Sequence, residues 1–109
     1  MRTFILYGSK RTDIGRLANE ISVALGVTPD ARDSSYIGEY YSLDSTKFSC
    51  QIQQNLNSPD EIEEDDRYQE PDHRQYDLLV RLTLSPEAEP VHEVIGQVRG
   101  LELLARDMA

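Results

Sequence analysis

Two stretches of strict alternation constrain this chain more than any other feature. In KFSCQIQQN (47–55), Phe48, Cys50 and Ile52 fall on one side, and Lys47, Ser49, Gln51 and Gln53 on the other. In YDLLVRLTL (76–84), Tyr76, Leu78, Val80, Leu82 and Leu84 share one side, with Asp77, Arg81 and Thr83 opposite. A period of two belongs to a β-strand with one face on a core and the other toward water. Leu79 interrupts the polar set of the second stretch, which predicts a strand partly covered on both faces.

Between them lies SPDEIEEDDRYQEPDHRQ (58–75). It holds Asp60, Glu61, Glu63, Glu64, Asp65, Asp66, Glu70 and Asp72 against Arg67 and Arg74, a net charge of −6 within a chain of −9. Ile62 is its one aliphatic residue, and it has two prolines and no sustained period. Such a segment cannot bury enough surface to order its own backbone, so a long acidic loop is expected over 56–75.

The other elements follow from shorter signals. TFILYG is an apolar run closed by glycine, which suits a buried strand. TDIGRLANEISVALGV places Ile14, Leu17, Ala18, Ile21, Ala24 and Leu25 on one helical face. Thr12 or Asp13 can cap that helix, and Gly26 supplies its left-handed stop. ARDSSYIGEYYSLD reads as one strand from Ala31 to Leu43 with an irregularity near Gly38, joined to the next strand by the turn DST. SPEAEPVHEVIGQVRG predicts a second helix with a stripe of Val91, Val94, Ile95 and Val98 that ends at Gly100. LELLAR closes the chain as a strand.

The expected order is β-α-β-β-β-α-β in a single α+β domain over 1–109. Short, right-handed connections then favour a ferredoxin-like sandwich, a mostly antiparallel sheet with both helices on one face.

The charge balance argues against nucleic acid or an anionic membrane as a partner, because phosphate contacts need Lys and Arg. It favours a protein partner with a basic surface. The single Cys50 cannot form an intramolecular disulfide, and its place in the alternation predicts a buried thiol. The apolar run Phe4–Tyr7 is too short for a signal peptide's hydrophobic region or a membrane span, so a cytoplasmic protein is expected.

No catalytic set emerges. Cys50 points toward the expected core, away from His73 in the loop and His92 in the second helix. DEIEEDD lacks the glycine and the alternating ligands of a Ca²⁺ loop, and no phosphate loop or dinucleotide fingerprint appears. Neither metal, cofactor nor enzymatic activity is expected. The tyrosines are a different matter. Tyr36, Tyr40 and Tyr41 crowd around Gly38 and Tyr68 sits among the acids, where large side chains with polar tips would serve as interface anchors. Together with the eight carboxylates they are the candidate partner-binding residues.

The size, acidity and lack of a catalytic set, with ARDSSYIGEYYSLD followed by FSCQIQQN, resemble the small acidic immunity proteins of bacterial polymorphic-toxin systems. That resemblance implies a protein that binds and neutralises a cognate toxin, often a basic nuclease. A second resemblance rests on TDIGRLANEISVALGV, which is similar to the first loop and helix of ACT-type ligand-binding domains. Asp13, Gly15, Leu17 and Ala18 carry it, and it implies a small-molecule-sensing regulatory domain. The acidic insertion and the extra strand depart from that second family.

Overall fold

The computed structural model describes residues 2–34, 38–55, 68–88 and 90–108. The described elements are β1 (Thr3–Ser9), α1 (Ile14–Leu25), β2 (Asp30–Ser34), β3 (Gly38–Asp44), β4 (Phe48–Gln54), β5 (Leu78–Leu84), α2 (Val91–Gly96) and β6 (Leu101–Met108). Short 3-10 turns occupy Pro71–His73 and Pro86–Ala88. The strands form one six-stranded sheet in the order β2-β3-β4-β5-β1-β6. Every neighbouring pair is antiparallel. The architecture is α+β, and it fits a ferredoxin-like sandwich in general outline.

The five-strand order expected from the sequence is corrected to six. The stretch read as one bent strand over 31–43 is a hairpin, in which Ser34 pairs with Gly38 and Asp30 with Ser42. Alternation alone cannot separate a bent strand from two paired ones, since both put the same residues on the same faces. The backbone hydrogen bonds decide between them. Folded back, 30–34 satisfies its amides against β3 instead of leaving them to solvent.

Register sorts the sheet into two faces. Leu43 pairs with Cys50, Cys50 with Leu82 and Leu82 with Ile5, so these residues share a face. Leu17 and Ile21 of α1 and Ile95 of α2 pack on that face, and all three are fully enclosed. Each such side chain contributes about 1.5–3 kcal/mol of burial. The expected helical face of α1 holds except at Ala24, which is exposed. Gly26 (φ 69°) ends the helix in the left-handed region as expected, its N–H donating to the Ser22 carbonyl.

The second helix is shorter than its apolar stripe suggested. A 3-10 turn takes Pro86–Ala88, and α2 spans only six residues. Ile95 is buried, Val91 and Val98 are half-buried and Val94 faces out. The β-branched residues and Gly96 give this helix little strength of its own.

Leu79 bears out the expectation of a strand covered on both faces. It pairs with Gln53 and Gly8 on the side away from the helices, yet it is 0% exposed. Leu79→Ala should therefore destabilise the fold as much as Leu82→Ala, by about 2–5 kcal/mol each, measured by urea unfolding. A loss below about 1 kcal/mol at Leu79 would show that face to be open to water.

Candidate functional site

What covers the second face is the described end of the acidic segment, and one residue holds it there. Asn55, just past β4, is fully buried. Its Nδ2 donates to the carbonyls of His73 and Tyr76, both at 2.9 Å, and its Oδ1 accepts from the Glu70 N–H at 3.0 Å. Its backbone N–H donates to Asp77 (2.8 Å) and its carbonyl accepts from the Gln69 N–H (2.7 Å). A further bond, from the Asp77 N–H to the Ser9 carbonyl, fastens the segment to the end of β1.

Tyr76 is corrected by this arrangement. It precedes β5 and does not join its inward row. Its ring lies over Gly8, where a Cβ would stand 2.7 Å from both Tyr76 Cγ and Leu104 Cδ1. Only a glycine lets the ring lie so close. The Tyr76 hydroxyl donates to Glu102, which raises its pKa, chiefly through that hydrogen bond and then through desolvation.

Beside this cover an open groove of about 390 Å³ remains on the sheet face. Phe4, Leu6 and Ala105 supply apolar lining, and Glu70, His73, Arg81 and Asp107 contribute polar groups. Phe4 is 43% exposed. Register places Asp107 beside Phe4 and Arg81 beside Leu6. Arg81 is paired with Glu70 at 3.0 Å, so Asp107 leaves the rim with a net negative charge. An apolar floor under an acidic rim is suited to an apolar side chain flanked by basic ones.

The candidate residues are distributed unevenly about this site. Asp60, Glu61, Glu63, Glu64, Asp65, Asp66 and Tyr36 lie outside the described residues. Tyr68 is half-buried, with the Arg74 guanidinium 5.7 Å from its ring centroid in a cation–π contact. Glu70 lines the groove and Asp72 is exposed in the neighbouring 3-10 turn. Tyr40 pairs with Gln53 on the groove's face of the sheet, but on β3, with β4 and β5 between it and β1. Tyr41 pairs with Ile52 and packs against the core beneath the helices, so the two adjacent tyrosines point to opposite faces.

Sequence reasoning missed Asn55, Phe4, Asp107 and the role of Gly8. The apolar run at 4–7 was the one available signal, since a run without alternation marks a strand lined with apolar side chains on both faces. Nothing local marks Asn55, whose partners are 15 to 21 residues away.

Cys50 faces the helix-covered side while His73 lines the groove, so a nucleophile–base pair between them is ruled out by the sheet itself. Burial first, then the Asp44 charge, pushes the Cys50 thiol up to about 12. It is an inert thiol in this fold. Among the described residues no group of three or more His, Cys, Asp or Glu is placed to hold a metal ion.

At the start of α1, Asp13 occupies the cap position without making a side-chain cap bond. Arg11 takes its carboxylate instead, with Nε at 2.9 Å and Nη2 at 3.0 Å, because a two-pronged charged pair is stronger than a bond to a neutral amide. Arg11 also reaches Glu20 and the Arg99 carbonyl. These hydrogen bonds hold Asp13 and Glu20 below the ordinary carboxylate range. The hydroxyl of Tyr41 lies 3.4 Å from where a Cβ of Gly15 would stand.

No known protein-family model matches the chain, and no curated protein shows significant similarity to it.

Asn55→Ala strands the Glu70 N–H and the His73 and Tyr76 carbonyls. We expect a loss of about 2–4 kcal/mol in urea unfolding and faster hydrogen exchange at the Glu70 amide. Unchanged exchange there would mean the segment is held by something else. A pH series checks the Arg11 clamp. Its carboxylates have folded values below their unfolded ones, so their stabilisation is full at neutral pH and is lost as the pH falls through the depressed values. The stability gap between the wild type and Arg11→Gln should therefore close on acidification, and a gap constant with pH would refute the clamp.

Proposed function

We propose that this protein is a non-catalytic binding protein that captures and neutralises a basic protein partner, in the manner of a bacterial immunity protein working in the cytoplasm. The observation that carries this reading is the Asn55 anchor. It fastens the end of a segment with a net charge of −6 against an exposed apolar groove with an acidic rim. Charge would draw the partner in, and the groove at Phe4 would hold it once docked. A plain spacer has no need of eight carboxylates, which repel one another and favour extension. No helix among the described residues is long and apolar enough to cross a membrane.

The ligand-sensing reading has less support. Its ligand would sit over Asp13 and Gly15, yet both oxygens of Asp13 are taken by Arg11.

The test uses two variants with different kinetic signatures. A basic protein captured from the native host should lose its toxic activity in the complex. Replacing Glu63, Glu64, Asp65 and Asp66 with Gln or Asn should slow association and flatten its salt dependence, while leaving folding nearly unchanged. Phe4→Ser should instead speed dissociation. If the neutralised variant associates at the wild-type rate at low salt, the acidic segment is a spacer and this reading fails.

A further inference from the structure

A cavity of about 540 Å³ lies at the end of β1, between the start of α1 and the turn that leads into β6. Its lining is unlike the rest of this acidic protein. Arg11, Arg16 and Arg99 line it together with Asp13 and Glu20, a local charge of +1 in a chain of −9. Lys10 lines an adjoining cavity that shares Arg11 and Gly100.

Arg11 is built into the wall. Its stem crosses Gly100, where a Cβ would stand 2.8 Å from Arg11 Cδ, and Gly100 adopts a φ of +86°. Its guanidinium is committed to Asp13, Glu20 and the Arg99 carbonyl, and its side chain is only 17% exposed. This clamp joins the β1–α1 loop to the α2–β6 turn and satisfies both carboxylates of the cavity. The side chains of Arg16 and Arg99, both exposed, make no hydrogen bond or ion pair within the described residues, although the Arg16 charge helps to lower Asp13 and Glu20. Arg11 offsets only one of the two carboxylate charges, so with Arg16 and Arg99 the walls carry a net charge of +1 and two guanidinium groups whose donors are open.

We propose that this cavity binds a small anion, a molecule carrying a phosphate-monoester or carboxylate group held by Arg16 and Arg99. Guanidinium suits such groups because its planar donors match two oxygens at once. The site is separate from the groove at Phe4 and does not depend on the partner-binding reading.

The full chain is titrated with inorganic phosphate and, separately, with succinate, using sodium chloride at matched ionic strength as the control. A background of about 0.1 M salt, where the Debye length is roughly 10 Å, screens the acidic segment. Thermal midpoints and amide chemical shifts are the readouts. Phosphate, succinate or both should raise the midpoint in a saturable way, with shifts at Arg16, Arg99 and Gly100. The stronger of the two arms identifies the ligand's acidic group. Arg16→Gln and Arg99→Gln should each weaken the apparent Kd about tenfold or more, and Lys47→Gln, at the far hairpin, should not change it. Two outcomes overturn the proposal: neither phosphate nor succinate exceeds chloride, or the Arg16→Gln/Arg99→Gln double variant keeps the saturable shift.

Discussion

Asn55 stands where β4 would otherwise run out into the acidic segment. A buried side-chain amide must find its hydrogen bonds inside the protein or forfeit them, and Asn55 finds three, to Glu70, His73 and Tyr76. Its own backbone adds two more, so the returning chain is pinned before β5 begins. The rest of the second face follows from that pin. Glu70 is delivered to Arg81, the Tyr76 ring to Gly8 and the Tyr76 hydroxyl to Glu102. Leu79 is enclosed on a face that would otherwise be open to water.

The same pin explains how the sheet tolerates so long an acidic connection between two of its central strands. Gln54 and Leu78 are paired neighbours, so the connection begins and ends at one place. Closing a longer loop costs only slowly increasing entropy, and the anchored end at 68–77 shortens the part that must be closed. The fold can therefore carry a stretch of mutually repelling carboxylates without straining its core.

Charge is segregated within this frame. The acids concentrate between 60 and 72, while Lys10, Arg11, Arg16 and Arg99 gather where β1 gives way to α1 and the chain turns into β6. The Arg11 clamp is shared by its two acidic neighbours, and with Arg16 and Arg99 that corner keeps a net positive charge. One edge strand is also blunted. β6 slips register against β1 between Leu6 and Tyr7, and such an irregularity makes an edge a poor template for pairing with another chain.

The sequence by itself determined which residues face a core and where the most regular elements lie. Phe48, Cys50 and Ile52, the row from Leu78 to Leu84, the helix ending at Gly26 and the break at Leu79 were all legible, because each is written in a short period or a single backbone requirement. Tertiary structure alone decided that 31–43 lies within a hairpin and that Tyr76 crosses to the other face. It alone brought Asn55 to Glu70, Phe4 to Asp107 and Arg11 to Gly100. The reason is the range of the interactions. Periodicity records what neighbours along the chain share. A buried amide, a ring over a glycine and an arginine spanning two loops are satisfied by residues whose separation in sequence carries no signal at either end.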